Sequence, residues 1–270
     1  MMKFPGFKRK AFTVSYDDGT LHDKRMVETM MKHGIKGTLN VNSSLIGRAQ
    51  NHLTVEELVE LIERSGFEVA VHGHRHLSLP DVEPGVATYD VMKDREVLEA
   101  LFGRVIKGMA YAFGTHNDDV VDTLKRCGIE YSRTTVSTNK FDMPTDWLRL
   151  PATCHHNSSK LMDLAREFAE KEDDRNFMRN KPMLFYLWGH SYEFDRYNNW
   201  EVLEELCEYI GGREDIWYAT NGEIYEYHKA FKSIRFSCDE RLAHNPTAID
   251  LYVQANGNMT VIPAGQTVKL

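Results

Sequence analysis

Seven short apolar runs alternate with amphipathic stretches along most of the chain. The runs are 10-KAFTVSY-16, 36-KGTLNVN-42, 67-FEVAVHG-73, 107-KGMAYAFG-114, 129-IEYSRTT-135, 183-MLFYLWGH-190 and 216-IWYAT-220. Between them, residues 22–34, 54–66, 90–103, 117–128, 158–171 and 199–212 carry helical patterning. Leu58, Leu61 and Ile62 fall on one helical face. Thr54 with Glu57 predicts a capping box, and Gly34, Gly66, Gly103, Gly128 and Gly211 predict helix ends. Strands alternating with helices predict βαβ units and a parallel sheet or barrel, with polar groups gathered at the strands' C-terminal ends. Seven runs, with no GxGxxG after the first, favour a TIM-like barrel over a doubly wound sheet. The last forty residues change period. In 234-IRFSC-238, 248-AIDLYVQA-255, 259-MTVIPA-264 and 266-QTVKL-270, with turn signals at Asn245-Pro246 and Asn256-Gly257, the alternation predicts short antiparallel strands. The expected organisation is an α/β barrel over residues 1–230 and a small β-rich appendage over 231–270.

Composition changes this picture little. The 270 residues are 42% hydrophobic and 27% charged, which suits one large domain with ample core. A net charge of -7 gives no electrostatic case for nucleic acid or an anionic membrane. The apolar run Ala11–Tyr16 is far too short to span a bilayer, and the N-terminal stretch has no signal-peptide pattern. Cys127, Cys154, Cys207 and Cys238 form no CxxC pair, so reduced cysteines and a cytoplasmic location are expected. Nothing in the chain fixes an oligomeric state.

The chemistry begins at 14-VSYDDGT-20, where an apolar run ends in two adjacent carboxylates. Such a pair repels itself, and alone it is ordinary turn or N-cap chemistry. In 69-VAVHGHRHLS-78, however, His72 and His76 lie four apart with His74 between them. A carboxylate and two imidazoles from separate strand ends suit a divalent metal with open positions. The metal would neutralise one carboxylate and leave the other free to take a proton from water. A late apolar run ends at His190 in 187-LWGHSYEF-194, where a histidine facing the same mouth would serve as general acid.

In combination and order, these motifs resemble the polysaccharide deacetylases, the NodB-homology domain of carbohydrate esterase family 4, over roughly residues 8–228. The resemblance implies a distorted, incomplete (β/α) barrel and hydrolysis of N- or O-acetyl groups on sugars with one divalent metal. Zinc is the first choice, with Co2+, Mn2+, Ni2+ or Fe2+ as alternatives. It further implies Asp17 as base, Asp18, His72 and His76 as metal ligands, His190 as acid, and the N–H of Phe113, in 109-MAYAFGT-115, as oxyanion donor. The arginine that usually orients the base is replaced by Ala110, and Arg133 is the candidate substitute. From 146-DWLRLPATCHH-156, Asp146 is the candidate to tune His190 and Trp147 to wall the groove, with His155 or His156 as alternative entrants. Tyr192 and Glu193 either touch substrate or anchor a loop. The aromatics Tyr16, Tyr111, Trp147, Trp188 and Tyr192 are candidates for stacking on a sugar ring. The missing third-motif arginine, the departures in the later motifs and the missing export signal point to a small acetylated sugar or oligosaccharide rather than a long polymer.

Three other readings compete. His72 with His74 forms an HxH pair of the kind found in two-metal amidohydrolase- or phosphoesterase-like barrels, and would make His74 essential. Two histidines and a carboxylate also describe iron(II) oxygenases, which normally use a double-stranded β-helix. A catalytically silent sugar-binding protein is the third, although binding alone needs neither Asp17 nor His190.

Overall fold

The computed structural model describes residues 1–270 except residues 49, 177 and 178. Its strands are β1 (Met2–Lys3), β2 (Lys10–Asp18), β3 (Thr38–Val41), β4 (Glu68–Val71), β5 (Gly108–Ala110), β6 (Tyr131–Ser137), β7 (Leu150–Ala152), β8 (Cys154–His155), β9 (Met183–Gly189), β10 (Ile216–Tyr218), β11 (Arg235–Phe236), β12 (Leu242–His244), β13 (Leu251–Ala255), β14 (Asn258–Ile262) and β15 (Thr267–Lys269). The helices are α1 (Asp23–Lys32), α2 (Val55–Ser65), α3 (Pro84–Phe102), α4 (Asp118–Arg126), α5 (Leu161–Glu170), α6 (Tyr192–Arg196), α7 (Trp200–Ile210) and α8 (Asn221–Lys232).

The main sheet is parallel, in the order β7-β6-β5-β4-β3-β2-β9-β8, with β10 also paired to the first residues of β2. Its curled ends meet because the chain steps directly from β7 to β8. At that seam Thr153 donates its N–H to Tyr186 O on β9, while its own carbonyl accepts from Asn139 just past β6. This is the distorted (β/α) barrel expected from the alternation. β2 is buried along nearly all its length, as a central strand covered on both faces should be. All seven expected runs contain strands. The stretch 146–156 holds two more, β7 and β8, too short for a recognisable period.

Thr54 and Glu57 do form the capping box of α2, and Gly66 and Gly103 close α2 and α3 in left-handed conformation. Gly211 is extended instead, and Gly212 takes the positive φ. α3 starts at Pro84, a favoured first-turn residue, rather than at Asp90. Asp90 is no cap: it is buried and accepts from the Arg75 backbone N–H at 3.2 Å, bracing the loop after β4.

At the C-terminus, β13 and β14 form a hairpin through Asn256-Gly257, both at positive φ, and β13 also pairs with β1. Strands β11, β12 and β15 form a second antiparallel sheet. Met2, Phe4, Leu251, Val253 and Ile262 share one apolar cluster with Tyr186 and Tyr227 of the barrel. No helix among the described residues is long and apolar enough to cross a membrane.

Candidate active site

The C-terminal ends of β2, β4, β8 and β9 bring two groups of ligating side chains to one mouth. In the first, Asp18 Oδ1 lies 3.6 Å from His72 Nε2 and 3.7 Å from His76 Nε2. These separations are long for hydrogen bonds. They match donors sharing one ion, since two ligands about 2.1 Å from a tetrahedral metal sit roughly 3.4 Å apart. His72 is 1% exposed, and its Nδ1 is 2.9 Å from the Ala110 carbonyl. A carbonyl only accepts, so Nδ1 carries the proton and Nε2 keeps its lone pair. That Nε2 is buried without a hydrogen-bond partner, which is what a ligand awaiting a cation requires. Asp18, His72 and His76 therefore could hold a metal ion.

The backbone is arranged for this. Asp18 sits at φ 82°, His76 at 55° and Phe113 at 59°, a region that non-glycine residues enter at a cost of about 1–3 kcal/mol each. Asn42 Nδ2 donates to the carbonyls of His72 and Gly73, both at 2.8 Å, and the His72 N–H donates to Asp94 Oδ2 at 2.9 Å. Burial pushes the Asp94 carboxyl up to about 7.

Asp17 points inward beside this group. Asn40 Nδ2 donates to its Oδ1 at 2.8 Å, and Arg133 donates to its Oδ2. Its Oδ2 lies 3.8 Å from His72 Nε2 and 3.9 Å from His190 Nε2. Burial alone would raise its pKa, but the Arg133 guanidinium, aided by His72 and His190, holds it down at about 2. Arg133 is itself buried, with its guanidinium over the Trp188 ring at 4.5 Å. The position vacated at Ala110 is thus served from β6, one strand further round.

The second group surrounds His190. Glu193 Oε1 is 3.5 Å from His190 Nδ1, and its Oε2 is 3.2 Å from His155 Nε2 and 3.0 Å from His156 Nε2. Burial opposes charge on Glu193, but the three imidazoles hold it far below the usual carboxylate range. Burial also opposes charge on His190, yet Glu193, Asp17 and Asp18 raise it above its ordinary value. Between the two groups lies Asp23, fully buried at the start of α1. It accepts from Ser191 Oγ, which is 3.0 Å from Thr20 Oγ, and burial pushes its carboxyl up to about 8.

Several sequence candidates lie elsewhere. Asp146 pairs with Arg149 at 2.8 Å and caps the turn before β7, and Glu193 takes the place next to His190. Trp147 donates to His228 Nδ1 at 3.2 Å and packs on Tyr225 of α8, so its partners lie in neither histidine group. The reason is direction: 146-DWLR precedes β7, whereas the site gathers where strands end. Tyr16 and Tyr111 are buried in the core and Trp188 is nearly so, which leaves no open face for a sugar. Tyr192 is half-buried, its ring 5.2 Å from His190. Phe113 is exposed with its ring 4.5 Å from His76. His74 turns away to Ser43 Oγ at 2.8 Å and joins neither group. The parallel barrel also removes the double-stranded β-helix that the oxygenase reading needs. Asn40 and the bridging role of Glu193 were not anticipated; a polar Asn40 inside the apolar run 36–42 was the available signal.

The mouth of this (β/α) barrel thus holds a metal-capable triad, a buried aspartate kept ionised and three histidines gathered around Glu193. Residues 5–132 match the polysaccharide deacetylase family model, a span that contains Asp17, Asp18, His72 and His76. The match agrees with the resemblance drawn from the motifs: over just under half of its length this chain is similar to the polysaccharide deacetylases. The poly-beta-1,6-N-acetyl-D-glucosamine N-deacetylase of Staphylococcus epidermidis is 25% identical to it over 142 residues, 47% of this chain and 49% of that protein. The chain thus spans about half the length of that curated relative. Among solved structures, a Mycobacterium smegmatis protein assigned to the polysaccharide deacetylases matches with a TM-score of 0.61 at 18% identity, covering 85% of this chain and 93% of its own. A family 4 carbohydrate esterase from Streptomyces lividans, in complex with acetate, matches with a TM-score of 0.54 at 12% identity, covering 78% and 93%. These two structures share the fold.

Proposed function

We propose that this chain is a metal-dependent hydrolase that removes N- or O-linked acetyl groups from a carbohydrate. The observation that carries the reading is Asp17, held ionised by Arg133 and Asn40 beside the Asp18–His72–His76 triad. A divalent cation on Asp18 Oδ1, His72 Nε2 and His76 Nε2, zinc in the first instance, would supply Lewis acidity toward the acyl carbonyl and make water acidic enough to attack.

The chain's own groups do the rest. Asp17 Oδ2 accepts the proton of the attacking water, and its depressed pKa keeps it ready at every pH above about 4. Arg133 fixes that carboxylate in place. The N–H of Phe113, set by the left-handed turn next to His76, is the donor for the oxyanion. His190 Nε2 faces Asp17 and delivers a proton to the departing sugar nitrogen or oxygen. Tyr192, beside His190, borders the substrate. In this reading residues 1–230 carry the chemistry and 231–270 form an appendage. The substrate is an acetylated monosaccharide or oligosaccharide.

The test is acetate release from a panel of N- and O-acetylated monosaccharides and oligosaccharides, with and without chelator. Chelator-sensitive release is expected. Sugar binding without release under any added divalent cation would make the chain a silent binding protein and overturn the proposal.

A further inference from the structure

Three imidazoles and a carboxylate around His190 have the composition of a second metal centre, and the donor atoms of His155, His190 and Glu193 lie within 4.8 Å of one another. The hydrogen bonds of the rings decide between a cation and protons. A neutral imidazole has one N–H, so the partner of one nitrogen fixes the state of the other. At His72 the partner of Nδ1 is a carbonyl, which leaves Nε2 bare. At His155 the partner of Nδ1 is the Asn157 backbone N–H, at 3.1 Å, which only donates. His155 Nε2 therefore bears the proton, and it lies 3.2 Å from Glu193 Oε2. A nitrogen that keeps its proton is no ligand.

We propose that Glu193, clamped by His155 and His156, is the positioning residue that makes His190 the acid of this site, and that no second metal belongs there. The inference rests on the deacetylase reading above. Glu193 Oε2 accepts from Asn157 Nδ2 at 3.3 Å and lies 3.2 Å from His155 Nε2 and 3.0 Å from His156 Nε2. Its Oε1 is left for His190 Nδ1 at 3.5 Å. A carboxylate this close to Nδ1 favours a proton on that nitrogen, which commits the exchangeable proton of His190 to Nε2, the atom 3.9 Å from Asp17 Oδ2.

The clamp is built into the core. His156 stacks between Tyr16, at 5.6 Å, and Phe194, at 4.2 Å. Its ring also occupies the space over Gly189, where an added Cβ would stand 2.0 Å from His156 Nδ1. The residue just before the acid must therefore be glycine for the clamp to close. In the step itself, His190 Nε2–H gives its proton to the leaving nitrogen or oxygen as the acyl bond breaks. Acetate departs with one oxygen from water, and the proton that Asp17 took from that water then restores His190.

Leaving-group dependence tests this. A sugar amine cannot depart without a proton, whereas 4-nitrophenolate can. kcat and KM are measured on N-acetylglucosamine oligomers and on 4-nitrophenyl acetate, with metal content determined alongside. Glu193→Gln is expected to lower kcat on the oligomers about a hundredfold with little change in KM, and to lower it at least tenfold less on the aryl ester. Glu193→Asp, which keeps the charge but retracts it, should fall between and serves if the glutamine variant does not fold. The double variant Glu193→Gln/His190→Gln should be no slower than His190→Gln alone. Equal losses on both substrates would overturn the proposal. So would two metals per wild-type chain with one lost in Glu193→Gln. A wild-type protein with no chelator-sensitive activity on either substrate would instead defeat the deacetylase reading, and this inference with it.

Discussion

His72 and His155 end parallel strands of one sheet, and each holds Nε2 close to a carboxylate, 3.6 Å from Asp18 and 3.2 Å from Glu193. Yet their surroundings prepare them for opposite tasks. The Ala110 carbonyl strips His72 Nε2 of its proton, while the Asn157 N–H leaves one on His155 Nε2. The metal side is spaced by gaps of 3.6–3.7 Å that a cation would fill. The acid side is closed by shorter approaches and an aromatic wedge. Both groups have the composition of a metal site; what separates them in the proposals above is the partner of the distal ring nitrogen.

The comparison can be broken most decisively at the ligands. Asp18→Ala or His76→Ala should abolish stoichiometric metal by elemental analysis and reduce acetate release to background. Next, Asp17→Asn should retain the metal but lower kcat by about a thousandfold, because an amide cannot take the proton of water. Full metal with near-wild-type turnover would remove Asp17 from the base role.

Arg133→Met probes the electrostatics beneath both groups. It strands a buried carboxylate, so urea unfolding at neutral pH should show a loss of about 3–5 kcal/mol. The pH dependence has a definite sign. Asp17 has a pKa of about 2 when folded and 3.8 when not, so its contribution is present above about pH 4 and fades as pH falls through 2. Without Arg133 the folded pKa rises, and both stability and turnover should begin to fall at higher pH.

The smallest effect on turnover is expected at Asp23. Its carboxyl titrates near 8 when folded, so wild-type stability erodes as pH climbs from about 4 toward 8. Asp23→Asn, a mimic of the neutral form, should gain on wild type over that window in chelator-treated protein. A constant difference across the window would show that Asp23 is already paired in its charged form.

The gathering of Asp18, His72 and His76 was legible because its parts are local. Asp17 and Asp18 are adjacent, His72 and His76 share one loop, and each motif terminates an apolar run. The acid side was not, because it depends on register. His155 meets His190 and Glu193 only because Cys154 pairs with Leu187 and His155 with Trp188, across a separation that no periodicity encodes. Arg133, expected from its strand end as the substitute for the missing arginine, does reach Asp17, although spacing alone does not encode the path from β6. Trp147 and Asp146 were misplaced for a related reason: a two- or three-residue strand leaves too few positions to tell its beginning from its end.

The buried triplet Thr20–Ser191–Asp23 ties the turn that follows Asp18 to the residue that follows His190, across the first turn of α1. Fraying of α1 should therefore release both loops together, and amide exchange in the two should share one opening free energy. An ion captured on one side would then slow deuterium uptake on the other, although no atom of the acid cluster touches it.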